Sequence, residues 1–201
     1  MMDRMLWLVP RLVLAAMLWP GAALAQEAAR ETVLQIDPTH TKVEFTLGDV
    51  LHTVHGTFAL KRGDMRFDAA GKASGELVVD AASGQSGSEA RDRRMHANVL
   101  ESKRYPDIVF RPDRVEGRVA AQGASQVRLH GQFEIHGQTH EMVLPLEVDG
   151  TGGQFTAAGS FSVPYVKWGM KNPSTFFLRV SDKVQIDIRA GARLHPATAA
   201  P

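Results

Sequence analysis

Val127-Arg128-Leu129-His130-Gly131-Gln132-Phe133-Glu134-Ile135-His136-Gly137-Gln138-Thr139-His140-Glu141-Met142-Val143-Leu144-Pro145-Leu146-Glu147-Val148 decides the fold class of this 201-residue chain. Val127, Leu129, Gly131, Phe133 and Ile135 alternate with Arg128, His130, Gln132, Glu134 and His136. Met142, Leu144, Leu146 and Val148 alternate with Val143, Pro145 and Glu147. Side chains of a strand point to opposite faces in turn, so each run has one apolar and one polar face. Such half-buried strands suit antiparallel sheet. Parity puts Ile135 and Met142 on the same face. The expected pairing sets Ile135 opposite Met142, Phe133 opposite Leu144 and His136 opposite Glu141, round a four-residue turn over 137–140.

The same period extends outward in both directions. Val43, Phe45 and Leu47 form one set, and Val54, Gly56, Phe58 and Leu60 the next. Gly75-Glu76-Leu77-Val78-Val79-Asp80 is apolar on consecutive positions, which leaves its register open. Ile108 and Phe110 follow, and later Phe155, Ala157, Gly159, Phe161 and Val163. At the C-terminal end Phe176, Leu178 and Val180 are expected to pair with Ile188, Ile186 and Val184 across Ser181-Asp182-Lys183. The reading gives eight or nine strands, all-β and antiparallel, able to close into a barrel or fold into a sandwich. Six inward phenylalanines stand beside Gly56, Gly131, Ala157 and Gly159. Bulk interleaved with gaps suits a hollow barrel and a filled core alike.

One stretch drops the strand pattern. Ser83-Gly84-Gln85-Ser86-Gly87-Ser88-Glu89-Ala90-Arg91-Asp92-Arg93-Arg94-Met95-His96 is charged and free of β-branched residues. Ser86 with Glu89 fits a capping box, and Asn98 with Glu101 offers a second helix start before Tyr105-Pro106 returns the chain to strand. A short helical insertion in an all-strand chain is expected to cap or plug one end of a barrel. On that helix Arg91 and Met95 share a face, with Ala90 and Arg94 in the neighbouring row. Met95 is expected to plug the barrel and Arg91 to sit at its rim.

The first residues read as an export signal. Arg4 and Arg11 supply positive charge, Leu12-Val13-Leu14-Ala15-Ala16-Met17-Leu18-Trp19 is a short apolar core, and Ala23-Leu24-Ala25 is a small-residue cleavage site. The core is too short to span a bilayer, so the chain is expected not to be membrane-spanning. Cleavage after Ala25 would release a periplasmic protein: residues 1–25 signal peptide, 26–195 one domain with a frayed start over 26–32, and 196–201 a disordered tail. The full chain has 23 basic and 22 acidic residues. Losing Arg4, Arg11 and Asp3 balances them, which argues against nucleic acid as a partner. There is no cysteine, hence no disulfide and no thiol chemistry.

Ile36-Asp37-Pro38-Thr39-His40-Thr41-Lys42-Val43-Glu44-Phe45, His55-Gly56-Thr57-Phe58 and Gly75-Glu76-Leu77-Val78-Val79-Asp80-Ala81 resemble the opening of the YceI family. Arg91-Asp92-Arg93-Arg94-Met95, Val99-Leu100-Glu101 and Tyr105-Pro106-Asp107-Ile108-Val109-Phe110 resemble its central signature. Gly131-Gln132-Phe133-Glu134-Ile135-His136-Gly137 and the last strand fit its later strands, so the similarity runs from about Gln35 to Arg193. The resemblance implies an extended, eight-stranded, lipocalin-like barrel around a long apolar cavity. It also implies a polyisoprenoid or other long-chain amphiphilic lipid as ligand, and does not imply a reaction. The chain departs from common members after Tyr165, where Val166-Lys167-Trp168-Gly169-Met170-Lys171-Asn172-Pro173 is compact.

The candidate ligand-contacting set follows from inward alternation and this resemblance. It comprises Val43, Phe45, Leu47, Phe58, Leu60, Leu77, Val79, Arg91, Met95, Ile108, Phe110, Leu129, Phe133, Met142, Leu144, Phe161, Trp168, Phe176, Leu178 and Ile186. Arginine holds phosphate bidentately, which makes Arg91, Arg93 and Arg94 candidates for a head group, against the plainer reading of a solvated helix face. Tyr165 and Trp168 could stack on a ligand or simply cover the barrel end. No nucleophile elbow or phosphate loop is present, so no catalytic residue and no cofactor is expected. His40, His52 and His55 lack the converging geometry a metal needs. Two other readings stay open: a solid-core protein-interaction or envelope-stress module, and a metal or small-molecule enzyme site on those histidines. A homodimer is left open too.

Overall fold

The computed structural model describes residues 31–48, 53–176 and 179–195. The expected all-β barrel is what they form. The strands are β1 (Thr32–Gly48), β2 (Thr53–Phe67), β3 (Ala73–Gln85), β4 (Asp107–Gly117), β5 (Gly123–Ile135), β6 (Gln138–Thr151), β7 (Gln154–Val163) and β8 (Val184–His195). Each pairs antiparallel with its sequence neighbour, and β8 pairs with β1 to close the barrel. Closure leaves no open edge to template association. A short helix α1 (Glu89–Arg94) continues into a π-helical turn, Met95–Val99, between β3 and β4. The signal-peptide, cleavage-site and tail expectations lie outside the described residues, as do His52 and Leu178.

Strands β1, β2 and β4 change parity along their length, which is why their sequence signal is broken. On β1 the inward positions are Leu34 and Ile36, then Val43, Phe45 and Leu47. The register shifts between Ile36 and Val43. Asp37 organises that bulge: its Oδ1 accepts from the Thr39 amide at 2.9 Å, and its backbone carbonyl accepts from Thr41 Oγ1 at 2.7 Å. The bonds from Thr39 and His40 hold the Asp37 carboxyl well below the usual carboxylate range. Similar shifts between Leu60 and Arg62, and between Pro112 and Arg114, carry the inward set to Met65 on β2 and Val115 on β4. A bulge adds one residue and so exchanges faces.

The hairpin that opened the sequence reading has the right faces and a corrected register. Phe133 pairs with His140, Gly131 with Met142 and Leu129 with Leu144. Phe133 and Leu144 therefore share the inward face, but the strands pair four residues closer to the turn than expected. Gln132, not His136, lies opposite Glu141. The reason is a two-residue turn at His136-Gly137, with φ of 52° and 71°. Positive φ at both central residues is the tight-hairpin geometry whose twist matches the flanking strands.

The expected C-terminal hairpin does not form. β8 pairs instead with β7, Phe161 opposite Ile186 and Gly159 opposite Ile188. With β1 on its other side, β8 has no free edge for a strand over 176–180. Phe176 is 93% exposed. The connecting segment satisfies its backbone through side chains: Asn172 Nδ2 donates to the Val180 carbonyl at 3.3 Å, and the Val180 amide donates to Ser174 Oγ at 2.8 Å. Tyr165 and Met170 in this segment are buried.

The open register at Gly75–Asp80 resolves into two packed faces. Leu77 and Val79 point inward, while Val78 and its partner Val109 point outward and are still buried. Charged side chains lie over them. Arg62 donates to Glu76 at 2.6 Å, Arg111 to Glu134 at 2.7 Å, and Lys61 to Asp107 at 2.7 Å. Long basic stems cover apolar surface while their heads stay wet.

Candidate functional site

The barrel is hollow. A cavity of about 580 Å³ runs through it, lined by inward side chains from all eight strands. That is within the roughly 300–1,000 Å³ typical of small-molecule sites. Phe45 and Phe58 meet at 5.4 Å between ring centroids, and Phe133 meets Phe161 edge-on at 6.5 Å. Small residues set how closely these rings approach the wall. A methyl at Gly56 would stand 2.3 Å from the Phe45 ring, and one at Gly84 would stand 2.5 Å from Phe58 and 2.9 Å from the Met95 methyl.

Of the candidate set, Val43, Phe45, Leu47, Phe58, Leu60, Leu77, Val79, Arg91, Met95, Ile108, Phe110, Leu129, Phe133, Leu144, Phe161 and Ile186 line the cavity. Met142, Trp168 and Phe176 do not. Met142 and Trp168 pack against the core beyond the cavity end. The reason is the register: inward positions of β6 continue past Leu144 to Met142 and His140, and Trp168 stacks on His140 at 4.0 Å with an interplanar angle of 6°. Trp168 also lies 5.8 Å from Phe133. It covers the barrel end as packing, the plainer of the two expectations. Phe176 is exposed and stands outside the cavity lining, since β8 is already paired on both sides.

The helical insertion supplies the polar end. Ala90, Arg91, Arg94 and Met95 line the cavity together, as their shared face requires. Arg93 points away and pairs with Glu89 at 3.3 Å. The expected capping box does not form. The helix begins after Ser88, which makes no side-chain cap, and Ser86 bonds Asp92 instead of Glu89. Asp92 Oδ1 accepts from the Ser86 amide at 2.9 Å and from its hydroxyl. Arg91 in turn donates through Nε to Ser86 Oγ at 2.7 Å and through Nη2 to the Ser86 carbonyl at 2.8 Å. Asp92 thus orders the loop that orders Arg91.

The second helix start at Asn98 and Glu101 does not form either. The π turn carries the chain there, Leu100 donating its amide to the Met95 carbonyl at 2.9 Å. An i→i+5 turn stacks Leu100 over Met95, so Met95, Val99 and Leu100 all reach the cavity. Sequence reading missed Val99 and Leu100 because α-helical periodicity does not put both on one face. His96 ties this segment to β3: its Nε2 lies 2.8 Å from the Gly84 carbonyl, and its Nδ1 lies 3.3 Å from Ser102 Oγ.

Ser86, Ser88, Arg91 and Arg94 gather polar groups at the helical end, and Tyr165 lines the cavity from the segment after β7. Burial, with Asp182 nearby, pushes the Tyr165 phenol up to about 12, and its hydroxyl donates to the Ser181 carbonyl at 2.7 Å. His40 and His55 are engaged separately, His40 with Asp37 at 2.9 Å and His55 with Thr46 at 3.1 Å. The arrangement can enclose a long apolar body and hold a polar end at the rim.

Known proteins share this architecture. The barrel of Burkholderia cenocepacia BcnA superposes with a TM-score of 0.65 at 18% identity, over 78% of this chain and 98% of that one. A polyisoprenoid binding domain from Saccharophagus degradans implicated in plant cell wall breakdown gives 0.64 at 16% identity, over 81% and 98%. A UPF0312 protein of Vibrio cholerae serotype O1 is 25% identical over 128 residues, 62% of this chain and just under two thirds, 66%, of its own length. One from Pseudomonas savastanoi pv. phaseolicola is 25% identical over 166 residues, 76% of this chain and 84% of its own. The YceI-like domain matches residues 34–192, the whole barrel from β1 into β8, and the chain belongs to the YceI family.

Proposed function

We propose that this protein binds a long-chain isoprenoid or other amphiphilic lipid, with the tail in the barrel and the head at the helical rim. The observation that carries the reading is the composition of the cavity wall: apolar side chains from every strand, with charge only at the α1 end. Burying each methylene is worth about 0.8 kcal/mol, so a long tail gains many kcal/mol against the cost of association. Nothing in that balance requires a cofactor or a reaction, and the reading is one of binding. The polyisoprenoid binding domain of Saccharophagus degradans, with the same fold, supports it.

Export completes the proposal. Residues 1–25 carry the features of a signal peptide, and cleavage after Ala25 would place the barrel in the periplasm. Two measurements test these points separately. Native mass spectrometry of protein purified from its own envelope, followed by extraction, is expected to release one lipid class in stoichiometric amount. A barrel that emerges lipid-free and does not take up lipid would overturn the binding reading. N-terminal sequencing is expected to begin at Gln26, and retention of the segment 7–19 would overturn export.

A further inference from the structure

The cavity wall contains two charged side chains, Arg91 and Arg94, and no carboxylate. On the barrel surface Arg62, Arg111, Arg114, Arg128 and Arg193 each have an acidic partner, while other basic side chains such as Arg66 and Arg189 stand in solvent away from the cavity. Neither rim arginine makes an ion pair with a described residue. Arg91 is held by neutral acceptors alone, the hydroxyl and carbonyl of Ser86. Those two bonds use two of the five N–H donors of a guanidinium, and the group is fixed with three unspent. Asp92, the nearest acid in the chain, spends its Oδ1 on Ser86. Arg94 sits one turn on, with no hydrogen bond to a described residue. Ser86 and Ser88 add polar surface between the guanidinium groups and the apolar wall.

A neutral head group would find this rim expensive and unselective. It needs one or two donors and leaves the charge of both guanidinium groups unmatched. An anionic oxygen cluster supplies the missing counter-charge and accepts the fork of donors that Arg91 presents. We propose that the Arg91–Arg94 rim selects an amphiphile with an anionic head, a carboxylate or a phosphate, over one with the same tail and an uncharged head. The proposal rests on the lipid-binding reading and narrows its ligand class.

The test is a matched-tail series on lipid-stripped protein: geranylgeraniol, geranylgeranoic acid and geranylgeranyl phosphate, each below its aggregation concentration at low salt. Both anions are expected to bind about tenfold or more tighter than the alcohol, the order of a charge-assisted bond over a neutral one. A further preference for the phosphate identifies a phosphoryl-headed lipid, and equal binding a fatty-acid-like one; either supports an anionic head. Arg91→Gln with Arg94→Gln is expected to bring all three ligands within a few-fold of one another, and a variant that keeps the tenfold preference for the anions overturns the assignment to this rim. Raising salt on the wild-type protein is expected to weaken only the anions, which keeps the test decisive if the double variant misfolds. Alcohol binding as tight as the anions overturns the anionic-head inference and leaves lipid binding intact. Failure of all three to bind overturns the lipid reading itself.

Discussion

Two segments cover the same end of the barrel and do it by opposite means. The α1 segment leans on the rim with one methionine and two arginines, its polar groups exposed and its docking side chain, Met95, only half-buried. The segment after β7 drives Tyr165 and Met170 into the interior, where they are 5% and 3% exposed, and lays Trp168 over Phe133 and His140. The first buries no residue of its helix, is anchored beyond it by Leu100, and has an electrostatic clasp through Ser86 and Asp92. The second is packed like a core. Local opening draws on regions with few buried apolar contacts. The α1 side is therefore the less firmly packed of the two covers, and the Trp168 side is the one against which the barrel is braced.

Removing the two methionines is the sharpest way to break that contrast. Met170 also lines the cavity but is buried, so Met170→Ala is expected to cost about 2–5 kcal/mol. Met95→Ala removes a side chain that already faces the cavity, and is expected to cost below about 2 kcal/mol while speeding lipid release. Denaturant unfolding of lipid-stripped protein measures both, since bound lipid would otherwise add to the apparent stability. Equal losses at the two positions would mean that the α1 segment is as much a part of the core as the other. A smaller effect is expected from Tyr165→Phe. It deletes the bond to the Ser181 carbonyl, should cost about 0.5–1.5 kcal/mol, and should leave lipid affinity unchanged. A change in ligand affinity without a change in stability would mean that Tyr165, whose ring lines the cavity, also acts on the ligand through its hydroxyl.

The two covers were also unequally legible in the sequence. The α1 segment announces itself by its charge and its lack of β-branched residues, and Arg91, Arg94 and Met95 lie where their spacing put them. What could not be read there is the change from α to π geometry at Met95, which no propensity encodes and which brings Leu100 to the cavity. The segment after β7 misled. Phe176, Leu178 and Val180 carry strand alternation, but β7 and β1 already flank β8 on both sides, a tertiary fact that outranks local pattern. The β5–β6 hairpin shows the intermediate case. Parity fixed which residues of β5 and β6 face inward, because a shift by an even number preserves faces. It could not distinguish pairings four residues apart, and the His136-Gly137 turn that decides between them requires positive φ at a histidine, a residue that takes it only uncommonly. The inward wall was legible on every strand wherever no bulge exchanged faces; the bulge at Asp37 is why Leu34 and Ile36 were not placed with Val43 and Phe45.

The smallest expected effect concerns pH, and it tests whether the Trp168 side is packed as tightly as its geometry indicates. His140 stacks flat on Trp168, and its Nε2 is buried with no hydrogen-bond partner. Burial alone holds its imidazole below the ordinary histidine value of 6.5. In the unfolded chain the same imidazole takes up a proton as the pH falls through about 6.5. The folded state resists that proton, so below 6.5 the unfolded state binds more protons and stability rises with pH. The contribution is complete above 6.5 and is lost progressively as the pH falls toward the folded value. His140→Phe keeps a ring against Trp168 and removes the titration, so stability should decline less for the variant between neutral pH and pH 5. Nearby His136, 3.5 Å from Glu101, is present in both proteins and cancels in the comparison. The measurement is the denaturant midpoint of each protein across that range. Parallel slopes would show that His140 reaches water when protonated, and that the segment carrying Trp168 is no more firmly packed than the α1 segment it is contrasted with.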